Sequence, residues 1–236
     1  MSDAVLNFRD RHIVVTGGAG ALGTAVVTTL IEAGAVCHVP CFDETDAKRF
    51  RLRDHKQVVV SVAGNLADDA NIAGLYGGIG RLWASIHIAG GFAAGALKDT
   101  SPATIHQQID TNLVSCMLCS RAAVTAMGNN GGRIVNVSAR AGLEWRSGAG
   151  MTAYTVSKAG VAAFTAALAE EVAKDGILVN AVAPSIMDTP ANRSAMPKAD
   201  YALWPKVEEV AVTIAFLASP DNRVTRGGIV PVYGKS

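Results

Sequence analysis

His12-Ile13-Val14-Val15-Thr16-Gly17-Gly18-Ala19-Gly20-Ala21-Leu22-Gly23 is the stretch that decides the fold. Its first five residues are largely apolar and β-branched, too brief for a helix, and they run into glycine, so they predict a buried strand. Ala21 to Glu32 predicts a helix closed by Gly34. Glycines between a strand and a helix let the backbone approach a pyrophosphate, and the helix start offers free amides and the positive end of a dipole. Tight turns need glycine for their own sake too. The position of this one, after a strand and before a helix, is the context that a nucleotide site requires.

The rest of the chain repeats the strand-helix beat. Ala35 to Cys41, Gln57 to Val62, Leu82 to Ala89, Arg133 to Val137, Ile177 to Val182 and Gly228 to Val232 predict further strands. Helices are expected over Asp43–Asp54, Asp68–Tyr76, Pro102–Met127 with a break near Asp110, Met151–Lys174 and Val207–Ala218. Pro40 predicts an edge-like or irregular end to the second strand. Such alternation forces parallel pairing through crossover helices, an α/β doubly wound sheet of about seven strands with helices on both faces. No solenoid repeat, low-complexity tract or linker interrupts 236 residues, and the expectation is a single domain over 1–236.

Composition narrows the function. Half the residues are hydrophobic, 17% are charged and the net charge is +1, so a large core forms and nucleic acid has no basic surface to bind. No uncharged apolar run has the length of a membrane span, and Met1-Ser2-Asp3-Ala4 lacks the basic and apolar regions of a signal peptide; the expectation is a soluble, cytoplasmic protein. Cys37, Cys41, Cys116 and Cys119 sit in apolar segments and are expected as buried reduced thiols, with no metal site.

Tyr154-Thr155-Val156-Ser157-Lys158 opens the long apolar helix. A spacing of four puts Tyr154 and Lys158 on one helix face. An ammonium beside a phenol favours the phenolate, and the tuned hydroxyl can then exchange protons with an alcohol or alkoxide. A Tyr-x-x-x-Lys match on its own is most often a solvated surface pair; the nucleotide turn upstream lifts it above that.

Together these segments resemble the short-chain dehydrogenase/reductase family, over about the whole chain. The family's Thr-Gly-x-x-x-Gly-x-Gly turn is matched by Thr16, Gly17 and Gly23, with Ala21 at the middle glycine and Gly20 one residue early. Ala89-Gly90 matches the end of its Asn-Asn-Ala-Gly motif, with His87-Ile88 in place of the asparagines. Asn112, in Asp110-Thr111-Asn112-Leu113, matches the helix asparagine that braces the lysine through water. Asn65-Leu66 falls where the family contacts adenine, and Pro184-Ser185-Ile186-Met187-Asp188-Thr189 resembles the segment beside the nicotinamide.

The resemblance implies a Rossmann-like sheet and a homodimer or homotetramer. It also implies hydride transfer between a nicotinamide and a small-molecule carbonyl, alcohol or quinonoid C=N substrate, with Tyr154 as acid/base and Lys158 on the nicotinamide ribose. Thr16, Gly17, Gly20, Ala21, Leu22, Gly23, Asn65, Leu66, Ala89, Gly90, Pro184, Ile186 and Thr189 are the implied cofactor contacts, beside Tyr154 and Lys158. The cofactor is NAD(H) or NADP(H). Cys41 and Phe42 stand where an acid would mark the first or an arginine the second; Asp43 follows, the glycine turn carries no cation, and the reading leans to NAD(H).

The substrate hydroxyl is open. The family's catalytic serine position falls on Ala139, and its neighbour Ser138 either turns inward onto substrate oxygen or bonds local backbone. The glycine segment 89–95 and Thr189-Pro190-Ala191-Asn192-Arg193-Ser194-Ala195-Met196-Pro197-Lys198-Ala199-Asp200 resemble the dihydropteridine reductase branch, which works with Tyr and Lys and no serine. A general ketone reductase of the 3-oxoacyl kind is the alternative within the enzyme reading. A substrate lid is expected at about 185–205, with Asn192 and Arg193 either capping it or shutting it over the nicotinamide. The reading from another class is an NAD(P)-binding sensor or scaffold without turnover.

Overall fold

The run His12–Thr16 forms strand β1 and Ala21–Glu32 forms helix α1, as the opening stretch predicts. The computed structural model describes residues 6–236; Met1 to Ala4, read above for a signal peptide, lie outside the described residues. The chain continues through β2 (Val36–Cys41), α2 (Glu44–Arg49), β3 (Val58–Val62), α3 (Asp69–Gly77) and β4 (Leu82–His87). Then come α4 (Pro102–Ile109), α5 (Ser115–Met127), β5 (Gly132–Val137), α6 (Arg140–Leu143) and α7 (Thr152–Glu171). The last elements are β6 (Ile177–Pro184), α8 (Pro190–Ala195), α9 (Val207–Ala218) and β7 (Ile229–Val232).

All seven strands join one parallel sheet in the order β3-β2-β1-β4-β5-β6-β7. Parallel strands are covered on both sides, and every residue of β5 is buried accordingly. On one face Ile13, Val15, Cys37 and Val39 pack against Val26 and Leu30 of α1 and Ile214 of α9. On the other, Val14, Ile134 and Val179 meet Ile72 of α3, Cys119 and Met127 of α5 and Leu168 of α7. Each such aliphatic side chain contributes roughly 1.5–3 kcal/mol by leaving water.

Strand order reverses between β1 and β4. The chain first steps outward to β3, then returns to the far side of β1, so the loops after β1 and β4 part at the carboxyl edge. Ligands of open α/β sheets enter this parting.

One local expectation holds and one changes: beyond His38 the end of β2 is edge-like, as Pro40 predicts, and the helix over 43–54 is shorter. Pro40 lies in an interior strand, paired in register with Ser61 of β3. The amide of Cys37 points to β3, so alternate positions 36, 38 and 40 turn toward β1, whose ladder with β2 stops at His38. The missing N–H of Pro40 therefore falls beyond the last bond and costs nothing. The helix expected over 43–54 stops at Arg49 because Phe50 turns into the core.

The expected break near Asp110 is a π turn over Asp110–Val114, joining α4 and α5 into one rod. Such turns commonly sit at functional sites, and this one carries Asn112. All four cysteines are buried and unpaired. Among the described residues no helix is long and apolar enough to cross a membrane, and no cluster of three His, Cys, Asp or Glu gathers as for a metal.

Candidate active site

The parting of the loops is a cleft of about 370 Å³. Gly17, Gly20, Ala21, Leu22 and Gly23 form one wall, Ala89 and Gly90 the other, and Asn65 and Leu66 close one end. Close approach makes the glycines obligatory at two points. Gly17 has φ +67°, and a Cβ there would meet the Ala89 nitrogen at 2.6 Å. A Cβ on Gly23 would lie 2.1 Å from the Gly17 oxygen. Gly20 is looser, its nearest neighbour at 3.3 Å. Ala21 is the first residue of α1 and exposed, so its methyl is accommodated at the position of the family's glycine.

Gly20 caps α1 with no side-chain bond and no acid stands in the first turn, so the opening amides face the cleft without a protein partner. Thr16 does not line the cleft. Its buried hydroxyl accepts the Ala89 N–H at 3.3 Å and ties the two walls together. These crowded glycines and free amides fit a pyrophosphate.

Behind the Gly90 wall, side chains do the work. Asn112, buried in the π turn, grips the loop after β4: its Oδ1 accepts from Gly91 N and its Nδ2 donates to Gly91 O, both at 3.0 Å. Lys158 is buried and its Nζ donates to the Val137 carbonyl at 2.8 Å. A Cβ on Gly90 would sit 2.6 Å from Asn112 Oδ1 and 3.4 Å from Lys158 Nζ, so both polar groups abut the cleft wall.

Burial, not pairing, dominates the titration of this end. It pushes the Lys158 ammonium down to about 8 and the Tyr154 phenol up to about 12. The lowering of Tyr154 by Lys158 expected from their spacing is thus outweighed: the ammonium is turned to a backbone carbonyl, and the edge-on ring of Phe92 covers the phenol, centroids 5.0 Å apart. At neutral pH Tyr154 keeps its proton.

Ser138 is 2% exposed and donates to the Lys158 carbonyl at 2.8 Å. Of its two readings, this geometry supports the backbone-bonding one. Gly142 permits it by bringing α6 against α7, where a Cβ would strike Ser138 Oγ at 2.7 Å. Ala139 beside it is buried. His87 and Ile88 replace the family's asparagines differently. Ile88 lines the cleft, whereas His87 bridges Ser85 Oγ and Asn136 Oδ1, each at 2.8 Å, and burial holds its pKa at about 4, so it is a neutral tie between β4 and β5.

Asn112, Ser138, Tyr154, Lys158, Pro184, Ile186 and Thr189 lie outside the lining of the cleft. Pro184 ends β6, Ile186 is exposed, and the Thr189 hydroxyl caps α8 by accepting from Asn192 N. Asn192 and Arg193 fasten their own segment, to the Met187 carbonyl and to both oxygens of Asp188, which supports the capping reading. Trp145 and Arg146 stand on an exposed loop, and Arg140 pairs with Glu144. Pattern reading missed Asp46, Gly64, Thr111 and Ser115, which also line the cleft. Thr111 shares the π turn with Asn112 and Ser115 opens α5 just after it, a helical neighbourhood that was available as a signal.

A parallel sheet with its switch point at a glycine-walled cleft, with Asn112 and Lys158 meeting behind the Gly90 wall, defines a nucleotide-binding α/β protein. Residues 11–200 match the family model for short chain dehydrogenase. The chain is 35% identical to galactitol 2-dehydrogenase of Rhizobium johnstonii, over 93% of this chain and 92% of that protein. It is 31% identical to the (2S)-[(R)-hydroxy(phenyl)methyl]succinyl-CoA dehydrogenase subunit of Thauera aromatica, over 97% of both. It is 27% identical to a 3-oxoacyl-[acyl-carrier-protein] reductase of Vibrio harveyi, over 97% of this chain and 98% of that protein. The chain belongs to the short-chain dehydrogenase/reductase family, whose members are NAD(P)-dependent oxidoreductases. The three relatives name three different substrates, so they define the class of chemistry and not the substrate.

Proposed function

We propose that the protein reduces a planar, conjugated small molecule, a quinonoid C=N or an activated ketone, with Tyr154 as the proton donor. A nicotinamide dinucleotide held by the glycine wall would supply the hydride. The observation that carries the proposal is the meeting of Lys158 Nζ and Asn112 Oδ1 on Gly90, at the end of the cleft where a nicotinamide ribose would lie.

Each residue then has a task. Tyr154 stays protonated at neutral pH, the form that donates to a nascent anion. Lys158 holds the ribose end and supplies positive charge beside it. Asn112 fixes the Gly90-Gly91 loop against Lys158. Ser138 keeps α6 on α7 and leaves the substrate without a serine donor. Phe92, 64% exposed and edge-on to Tyr154, offers a ring on which a flat substrate stacks. The bond that turns Ser138 onto the Lys158 carbonyl and the likeness of residues 189–200 to dihydropteridine reductase support the quinonoid arm, with 185–205 as the lid of a single domain. A homodimer or homotetramer belongs to the same reading.

One observation favours a non-catalytic nucleotide-binding role, the unactivated phenol. NADH and NADPH oxidation against a panel of quinonoid dihydropterins and ketones separates the two. Turnover that is lost in Tyr154→Phe, with nucleotide binding kept within about twofold, is the expected result. Full activity in that variant would remove Tyr154 from the chemistry, and binding without turnover on any substrate would favour the sensor.

A further inference from the structure

Among the described residues, Asp46 is the one charged side chain lining the cleft. It lies in the first turn of α2, five residues beyond the end of β2, where no strand-end pattern would look for it. A pair of caps carries it back. Asp43, the acid nearest the strand end, spends its carboxylate on the Asp46 N–H at 2.7 Å. Asp46 in turn accepts the Phe42 N–H on Oδ2 at 3.2 Å. Its carboxylate is thereby folded over the end of β2, 30% exposed, beside Pro40, Cys41 and Phe42 on the cleft wall and facing Gly64 and Asn65. Arg49, 73% exposed, reaches Asp46 Oδ1 at 3.4 Å, and among the described residues no Lys or Arg lines the cleft.

We propose that Asp46 is the residue that reads the adenosine ribose, accepting from its free hydroxyls and repelling a 2′-phosphate, which makes the enzyme selective for NAD(H). This rests on the nucleotide-binding reading above. A carboxylate has only acceptors, so it suits a diol and not a dianion. An amide at the same place keeps an acceptor for Phe42 N–H and loses the repulsion.

The test uses fragments that need no turnover. Calorimetric titration of the wild-type chain with ADP-ribose and with its 2′-phosphate should show the first binding at least about tenfold tighter. Asp46→Asn should bring the two affinities within about threefold of each other, with an unchanged melting temperature. Arg49→Ala should leave the wild-type ratio in place. A wild-type chain that binds both fragments equally, or an Asp46→Asn ratio equal to the wild type, overturns the assignment. The wild-type ratio decides even if Asp46→Asn fails to fold. A chain that binds neither fragment overturns the nucleotide-binding reading itself, a distinct outcome.

Discussion

The glycine cleft and the side-chain cluster behind its Gly90 wall are built from opposite materials. The glycine end is backbone. Its donors are helix-start amides, and its specificity is the absence of atoms at Gly17 and Gly23. The Tyr154 end of the fold is side chain. Asn112 and Lys158 are buried there, held by Gly91 and Val137, and burial shifts Lys158 and Tyr154 from their ordinary titration. A backbone site is rigid and cheap to build but tolerates no addition. A side-chain site costs stability, since it keeps a lysine under the protein surface.

The sharpest way to break the contrast is at Gly23. Gly23→Ala places a methyl 2.1 Å from the Gly17 oxygen and 2.5 Å from Gly18 Cα, both backbone. We expect the turn to open, at a cost of about 3 kcal/mol, with nucleotide affinity down by more than about tenfold. Gly20→Ala, meeting nothing nearer than 3.3 Å, should cost well under half of that. Equal effects in urea melts and calorimetry would mean that the turn yields, and the rigid-backbone account would fall.

Lys158 tests the other end. Burial lowers its pKa from 10.5 to about 8. Between those values the unfolded chain holds a proton that the folded chain has released, so stability from this group rises with pH across that window. Below about 8 the folded state bears the whole cost of an interior ammonium. Lys158→Met should therefore stabilise the protein at pH 7 by about 2 kcal/mol, after loss of the bond to Val137. The gain should shrink as pH approaches 10, while turnover is lost. Denaturant melts at the two pH values read it, and a destabilised variant at pH 7 would show that the ammonium is compensated by its surroundings.

Ser138→Ala is the smallest effect. It deletes one buried bond to the Lys158 carbonyl, worth about 1 kcal/mol. Turnover should stay within about twofold. A hundredfold loss would put the hydroxyl in the chemistry and make the site depend on a serine after all.

The glycine end and the sheet were legible because their causes are local. Alternating runs of buried strands and amphipathic helices dictate parallel crossovers, and a glycine run after a strand states its own geometry. Boundaries held to a few residues for α9, β5 and α3. Pro40 marked the one-sided end of β2, while the interior place of that strand is decided by strand order, which no single strand contains. Ser138 stayed ambiguous because a strand-end hydroxyl has two faces to choose from, and Gly142 on the next helix makes the choice.

What the sequence determined by itself, then, is the fold class, the family and the spacing of Tyr154 and Lys158 on one helix. Only tertiary structure decided how they are tuned: burial raises the phenol and lowers the lysine, reversing the shift that spacing predicts for Tyr154. The same holds for Asp46, which reaches the cleft through two caps at the start of α2. Spacing fixes which residues can share a face. Desolvation and close approach depend on every element packed around that face, and those come from distant parts of the chain.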